Sequence, residues 1–176
     1  FILPSETTLL NLYKITDALL KDAKLKKYEV SNYSLQNAES IHNVKIWKGF
    51  EYCGIGPGAH GRVKINKTWF ATHRYSSPVL WLSKNLTGNT TLYKNEEICP
   101  KERAQEVLLT GLRLTKGIKI KELFNNASIS TLDRFINMTN LSELQKLGLI
   151  NRNTSTLRIT SKGFPVLNTV INKLLI

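Results

Sequence analysis

The segment from Tyr52 to Gly61 contains four glycines and one proline within ten positions. A regular helix or strand does not tolerate this density, because glycine favours turns and proline lacks a backbone donor. The segment therefore predicts a loop whose main chain can closely approach a ligand or another part of the backbone. It lacks the GxGxxG spacing and the lysine of phosphate-binding loops, so the sequence does not favour a nucleotide phosphate site.

Composition predicts a basic globular protein. Of the 176 residues 41% are hydrophobic, which is enough for a packed core. The 25 lysines and arginines against 13 acidic residues give a formal charge of +12, which favours anionic partners, although a basic bias spread along the chain explains it more simply. The two cysteines match neither a disulfide framework nor a metal-binding spacing, and they fit a reducing cytoplasm. No apolar run approaches the roughly 18 residues of a membrane-spanning helix.

The first half of the sequence predicts an α/β arrangement, in which hydrophobic periodicity and turn residues mark the boundaries. The predicted elements are a helix over 5–25 capped by Ser5, strands over 27–31 and 52–55, a hairpin of 62–65 with 68–73, and a helix over 77–86. Residues 85–100 are rich in Asn, Thr and Gly and predict a linker. A domain boundary is therefore expected near residue 90.

The second half predicts a helical domain that ends in a two-stranded wing. The predicted elements are helices over 101–114, 119–125, 131–137 and 140–147, strands over 148–150 and 157–160, and a helix capped by Ser161 that runs to Leu175. This order is winged-helix-like, which leaves a basic nucleic-acid-binding module as an alternative function. The helix before the wing carries one cation, Lys146, and does not favour the reading of base edges.

Polar and aromatic side chains of the first half offer the chemistry of a binding site. His42 has an imidazole, a common ligand of iron, and the ring of Trp47 can stack on a flat macrocycle. The same two residues also suit a hydrogen-bonded structural pair. Glu29 and Asn32 suit hydrogen bonds to a substrate propionate, a SAM ribose or a neighbouring loop, and no second carboxylate near Glu29 supports two-carboxylate hydrolysis.

Several strings along nearly the whole chain together resemble one family. They are LPSETTLLNLY, KYEVSN, HNVKIW, GIGPGAHG, GLRLTKGI and LRITSKGF. The sequence is similar to the radical SAM family of oxygen-independent coproporphyrinogen III oxidase and the heme chaperone HemW, and the chaperone branch is the closer match. The family's CxxxCxxC cluster-binding motif is absent, and the chain begins at Phe1 rather than Met. The resemblance therefore implies a C-terminal portion, with residues 1–90 from a radical SAM (TIM-like) barrel and residues 91–176 as the family's C-terminal helical domain.

The resemblance also implies a heme site. In the chaperone branch a signature HNxxYW is linked to heme, which implies that His42, Asn43 and Trp47 are heme-binding residues. Ile46 stands where the signature has tyrosine, and because isoleucine offers no hydrogen-bond donor, we expect weaker heme binding.

A second set of residues is implied for SAM. In the oxidase branch the glycine-rich strand end reaches the adenosyl group of SAM, which implies contacts from Gly56, Ala59 and His60. The family's C-terminal domain further implies that Glu106 and Arg113 share one helix face, where Arg113 holds a carboxylate or pairs with Glu106 or a loop carbonyl.

The function implied by the resemblance is that of a HemW-like heme chaperone, which binds heme and transfers it to a recipient protein. The alternative is a part of an oxygen-independent coproporphyrinogen III oxidase in porphyrin biosynthesis. The intact family proteins use SAM and a 4Fe-4S cluster. Because the cluster cysteines are absent, we expect no catalysis by this chain alone. Either a separate chain supplies the N-terminal radical SAM half as a partner, or the chain is the product of a split gene.

Overall fold

The computed structural model describes residues 3–175. Phe1, whose position at the start of the sequence is part of the argument for a C-terminal portion, lies outside these residues. These residues combine helices with antiparallel sheets, which confirms the predicted α/β class. The elements of the first half are α1 (Glu6–Asp22), β1 (Lys26–Lys27), β2 (Tyr33–Ser34), α2 (Ile41–Trp47), β3 (His60–Ile65), β4 (Thr68–Arg74), α3 (Pro78–Leu86) and β5 (Leu92–Ile98). Those of the second half are α4 (Pro100–Gly111), β6 (Ile118–Lys119), α5 (Ile120–Ala127), α6 (Met138–Lys146), β7 (Ile150–Arg152), β8 (Thr156–Ile159), a 3₁₀ turn (Phe164–Val166) and α7 (Leu167–Leu174).

Helix α1 begins where the sequence predicts. The hydroxyl of Ser5 accepts a hydrogen bond from the backbone N–H of Thr8 at 3.2 Å and caps the helix. Asp17 on this helix forms an ion pair of 2.7 Å with Lys27 of β1 and accepts a hydrogen bond from the hydroxyl of Tyr33 in β2. These contacts hold α1 against the short β1–β2 ribbon. The strand predicted over 27–31 is wrong beyond Lys27, because residues 28–31 form a loop in which Glu29 makes an isolated bridge to Leu114.

The predicted hairpin is confirmed as β3 and β4. Its turn residues Asn66 and Lys67 have φ of 47° and 71°, the positive values that a tight two-residue hairpin turn requires. The predicted linker is wrong in its second part, because Leu92–Ile98 forms β5 and pairs with β4. Strand β5 is mostly exposed and polar, so its sequence lacks the alternation of hydrophobic residues that predicts a strand. Its pairing with β4 is made by backbone groups, which the residue composition does not reveal. The strand predicted over 52–55 is reduced to a single bridge between Tyr52 and Arg62.

The second half contains the predicted wing and most of the predicted helices. Strand β8 lies between β6 and β7 in one antiparallel sheet. The helix predicted over 131–137 is wrong: Leu132 accepts backbone hydrogen bonds from residues 135 and 136 in a turn, and Asn137 then caps α6. The predicted cap Ser161 is also wrong. The hydroxyl of Thr160 accepts from the N–H of Gly163 at 3.2 Å, and α7 starts only after the 3₁₀ turn.

The hydrophobic core lies in the second half. The buried members of the main apolar cluster all fall between Ala104 and Leu174. Helices α1 and α3 contribute no buried residue, although both carry apolar side chains. The first half is therefore held to the core through a few specific contacts.

The strongest of these contacts is made by Arg103 of α4, a side chain only 2% exposed. Its guanidinium stacks on the ring of Trp69 with 3.8 Å between the cation and the ring centroid. It donates to the backbone carbonyls of Gly49 and Asn126 and to the carboxylate of Glu106. The guanidinium thus fixes the backbone after α2 against α4 and α5.

Candidate functional site

The predicted heme motif lies on a short helix, α2, and not in a loop. The hydroxyl of Ser40 accepts from the N–H of Asn43 at 3.3 Å and starts the helix. His42 is exposed, whereas Asn43 and Trp47, one turn apart, are partly buried. Because His42 and Trp47 are five residues apart, their side chains project about 140° from each other around the helix. The helix therefore does not bring these two side chains onto one face.

Glu29 occupies a fully buried position beside this helix. Its Oε1 accepts hydrogen bonds from the N–H of Ser31 (2.8 Å), the hydroxyl of Ser31 (2.9 Å) and the amide of Asn32 (2.7 Å). Its backbone bridges that of Leu114 in the second half. Glu29 and Asn32 are thus brought together, and much of their hydrogen-bonding capacity is used within the loop.

Glu29, Arg113 and Trp47 form a buried polar cluster. The guanidinium of Arg113 lies over the ring of Trp47 at 4.8 Å, and its Nη2 is 3.7 Å from Oε2 of Glu29. Among residues 3–175, Glu29 Oε2, Arg113 Nε and Trp47 Nε1 have no hydrogen-bond partner. Buried polar atoms are nearly always paired, so three such atoms in one cluster suit an ordered water or the polar group of a ligand.

The expected shared helix face of Glu106 and Arg113 is wrong. Helix α4 ends at Gly111, so Arg113 lies beyond it and turns toward Glu29. Glu106 instead accepts from Arg62 at 2.7 Å and from Arg103 at 2.6 Å. The i,i+7 argument fails because it assumes that the helix continues past the glycine.

A cavity of about 590 Å³ lies on the other side of α2, between this helix and the second half. Its wall from the first half consists of Tyr28, Asn37, Glu39, Ile41, Val44, Lys45, Lys48 and Phe50. Its wall from the second half consists of Leu114, Lys116, Gly117, Lys119, Glu122 and Thr156. We call it the α2 cavity. The sequence did not predict this cavity, because it is formed by residues that are distant in the chain.

Ion pairs at the edge of the α2 cavity are long. Lys48 and Lys119 lie 3.4 Å and 3.6 Å from the carboxylate of Glu122, and Lys116 lies 3.4 Å from that of Glu39. A backbone hydrogen bond of Glu39 itself, helped by Lys116, holds the pKa of the Glu39 carboxyl below its usual value. The Glu39 carboxylate is therefore ionised at neutral pH.

The glycine-rich loop closes mainly on itself. A Cβ at Gly54 would lie 2.4 Å from the carbonyl oxygen of His60, so this glycine is required by a close backbone approach. Gly56 differs, because it has φ of 105° and its missing Cβ would meet nothing within 4 Å. Next to it, the exposed ring of His60 stacks on His73 with centroids 4.1 Å apart. Gly56, Ala59 and His60 thus lie close together at the start of β3, and none of them lines the α2 cavity.

Residues 3–175 contain no group of three or more His, Cys, Asp or Glu side chains placed to hold a metal ion. Over the same residues, no helix is long and apolar enough to cross a membrane.

Comparisons with known proteins agree with the sequence motifs. A family model described as the HemN C-terminal domain matches residues 98–166. The chain is 33% identical over 178 residues to the heme chaperone HemW of Lactococcus lactis subsp. lactis, which covers 99% of this chain and 44% of that protein. The chain belongs to the HemN/HemW radical SAM family. It matches the C-terminal portion of that family, as the motifs imply.

Other members of the HemN/HemW family extend the match. The mitochondrial radical S-adenosyl methionine domain-containing protein 1 of Dictyostelium discoideum is 29% identical over 192 residues, covering 98% of this chain and 43% of that protein. The structure of coproporphyrinogen III oxidase (HemN) from Escherichia coli, a radical SAM enzyme, superposes with a TM-score of 0.68 at 13% identity, over 97% of this chain and 41% of that one. The structural match confirms the predicted fold. The chain spans less than half the length of these relatives.

Proposed function

We propose that this chain is the C-terminal portion of a HemW-type heme chaperone, which binds heme and passes it to a recipient protein. The observation that carries the proposal is helix α2. It presents His42 at the surface, anchors Asn43 and Trp47 in the interior, and lies between a buried polar cluster and the α2 cavity. Relatives named as heme chaperones align over nearly the whole chain, including this helix.

The three proposed heme-binding residues have different roles in this arrangement. His42 is exposed, so its imidazole is available as an iron ligand. The ring of Trp47 is covered by Arg113, and the amide of Asn43 donates to the hydroxyl of Tyr28 at 3.5 Å. Asn43 and Trp47 therefore hold α2 in place, while Ile46 supplies no hydroxyl of its own.

A heme titration followed at the Soret band tests the proposal. Wild type should bind one equivalent, and His42→Ala should weaken binding by about tenfold or more through loss of the axial ligand. His73→Ala is the matched control, because His73 belongs to the β3–β5 sheet and should leave binding unchanged. Equal affinities of wild type and His42→Ala would remove His42 as ligand. No saturable binding in the folded chain would refute heme binding by this portion alone.

SAM is proposed to contact Gly56, Ala59 and His60 in the complete protein. The open space beside Gly56 and the exposed ring of His60 allow a flat ring system to approach the backbone. SAM and the 4Fe-4S cluster would supply the radical chemistry of the family, with the cluster held by the N-terminal half. This chain itself contributes the open space beside the backbone of Gly56 and the stacked rings of His60 and His73.

The exposed apolar faces of α1 and α3 support a partnership with the N-terminal radical SAM half. These faces consist of Leu9, Leu12, Ile15, Leu19, Val79, Leu82 and Leu86, each at least half exposed. Apolar faces of this extent mark protein contacts. Co-expression of the chain with a tagged N-terminal half of a HemW relative should recover both together, and Leu12→Lys with Leu19→Lys should abolish recovery. Recovery that is insensitive to these changes would contradict the proposed surface.

The oxidase branch is the second candidate, favoured by the structural match to HemN. It requires a propionate contact from Glu29 or Asn32, and both side chains are hydrogen-bonded to each other. The assay supplies the N-terminal half, SAM and a reductant, and measures decarboxylated porphyrinogen, which the chaperone should not form.

We do not propose the nucleic-acid alternative, since Lys146 is the one cation on α6. Two exposed free cysteines, Cys53 and Cys99, suit work in a reducing compartment such as the cytoplasm.

A further inference from the structure

We propose that Arg113 is a positioning residue for His42, because it fixes the rotation of helix α2 through the ring of Trp47. The inference rests on the proposed function and goes beyond it, since it assigns a role to a residue outside the heme motif, in the other half of the chain. In this role Arg113 contacts Trp47 and Glu29 and acts on His42 only through α2.

Helix α2 depends on other elements for its orientation. Its seven residues fall short of the roughly 12–15 at which isolated helices become stable in water, and none of them is buried. The end of the helix is held from the second half, where Asn126 donates to the carbonyl of Lys48 at 2.8 Å and Arg103 donates to that of Gly49. These bonds hold the end of α2 and leave the direction of its side chains to contacts along its length.

The ring of Trp47 makes the contact that sets this direction. Asn43 and Trp47 lie one turn apart on the partly buried face of α2. The amide of Asn43 is 3.5 Å from the hydroxyl of Tyr28, at the outer limit of a hydrogen bond. The ring of Trp47 instead lies against the guanidinium of Arg113. Because His42 projects about 140° from Trp47 around the same helix, the direction of its imidazole follows from that of this ring.

Arg113 can fix this ring because it is itself held in place. Its Nη2 is 3.7 Å from Oε2 of Glu29, whose other carboxylate oxygen accepts three hydrogen bonds in a fully buried position. The backbone next to Arg113 is tied to the same segment, since the N–H of Thr115 donates to the carbonyl of Tyr28 at 3.0 Å. The ring of Trp47 therefore lies against a cation that has little freedom to move.

This role requires an arginine. A planar guanidinium can stack on an indole ring and still direct N–H groups at a carboxylate, whereas the ammonium of lysine is a point charge. Tryptophan is also the aromatic residue that attracts a cation most strongly. Replacement of Arg113 by lysine should therefore keep part of the effect, and replacement by alanine should remove it.

The rate of heme dissociation tests the proposal. The heme-loaded chain is mixed with excess apomyoglobin, which captures released heme, and the transfer is followed at the Soret band. Arg113→Ala should release heme about tenfold faster than wild type, and Arg113→Lys about threefold faster. The Soret band of both variants should also shift toward that of His42→Ala, because a misdirected imidazole coordinates iron less completely.

The decisive measurement combines Arg113→Ala with His42→Ala. If Arg113 acts through His42, its replacement should change the release rate less than about twofold once the imidazole is gone. Trp47→Leu provides a second route, because it removes the ring and leaves the Glu29–Arg113 ion pair in place, so it keeps the proposal testable if Arg113→Ala does not fold. It should accelerate release as Arg113→Ala does, and it too should have little effect in the His42→Ala background.

The matched control is Arg134→Ala, which removes an exposed arginine from the same half of the chain, outside the α2 cavity. It should leave the release rate within about twofold of wild type, since exposed charges at a distance are screened. Circular dichroism and urea midpoints establish that each variant is folded. A purely structural role of Arg113 would lower the urea midpoint and leave the release rate and Soret band of the folded chain unchanged.

The outcomes separate this inference from the proposed function. Faster release from His42→Ala, with wild-type release from Arg113→Ala and Trp47→Leu, would overturn the positioning role and leave His42 as the proposed ligand. An acceleration by Arg113→Ala that persists undiminished in the His42→Ala background would do the same. Equal release from wild type and His42→Ala, or no saturable heme binding, would refute the proposed ligand and the positioning role together.

Discussion

Replacement of Arg103 by alanine should be among the most damaging single changes in this chain. The substitution leaves the carbonyls of Gly49 and Asn126 without their donor and removes the cation from the ring of Trp69. Each unpaired acceptor costs about 1–3 kcal/mol, and the stacking contributes about 1–2 kcal/mol. Glu106 keeps Arg62 as a partner at 2.7 Å, so its carboxylate is not left alone. The two unpaired carbonyls and the lost stacking together give an expected loss of about 3–8 kcal/mol of unfolding free energy.

Urea unfolding followed by tryptophan fluorescence measures this loss as a lower midpoint at an unchanged m value. Arg103→Lys keeps the charge but not the planar fork, and should lose about 2 kcal/mol because one ammonium cannot serve both carbonyls. Lys101→Ala, an exposed change on the same helix, should stay within about 0.5 kcal/mol of wild type. A loss below about 1 kcal/mol for Arg103→Ala, or wild-type stability of Arg103→Lys, would refute the reasoning.

Three further predictions concern other parts of the chain. Burial opposes ionisation of Asp17, but its contacts with Lys27 and Tyr33 outweigh this and lower its pKa, so Asp17→Asn should cost up to about 1 kcal/mol at pH 7. That stabilisation belongs to the ionised carboxylate, so the cost should shrink as the pH falls below about 4, the unfolded-state pKa of Asp, and vanish below the lowered folded-state pKa. A difference in urea midpoint that does not shrink below about pH 4 would contradict it. Glu29→Gln should lower the unfolding free energy by about 1.5–3 kcal/mol, because an amide cannot replace a buried carboxylate that accepts three hydrogen bonds. The control Glu97→Gln, at an exposed position, should have almost no effect. Similar urea midpoints for the two variants would exclude a structural role for the charge of Glu29. Gly117 and Gly148 have φ of 68° and 69°, but a Cβ would lie 2.3 Å from the Leu157 carbonyl oxygen at Gly117 and meet nothing at Gly148. Gly148→Ala should therefore lower the unfolding free energy by about 1 kcal/mol, and Gly117→Ala should lower it clearly more, as measured by thermal or urea unfolding. Equal losses would show that backbone strain alone sets the loss at both positions.

Features set by neighbouring residues could be predicted from the sequence. The cap at Ser5, the hairpin turn at Asn66 and Lys67, and the wing of β7 and β8 each depend on interactions within a few positions. The sequence motifs that resemble the family predicted the overall fold of the chain. Such local signals survive in the structure because tertiary contacts reinforce them.

Features set by distant residues could not be predicted. Helix α2 has only seven residues, and three of them, Ile41, Val44 and Ile46, are β-branched. It therefore depends on its cap and on the anchoring of Gly49 by Arg103. Strand β5 depends on pairing with β4, and Arg113 turns away from Glu106 because α4 stops at Gly111. The α2 cavity joins residues 28–50 to residues 114–156, a relation that no spacing in the sequence records.

The position of the core in the second half has a consequence for synthesis on the ribosome. The apolar cluster is formed by residues 104–174, which are synthesised after α2 and the residues around it. The guanidinium that fixes Gly49 and the segment that bridges Glu29 are therefore still missing when α2 leaves the ribosome. Helix α2 can dock only once residues 104–174 have followed it, and during this interval the side chains that pack against the second half are exposed to aggregation.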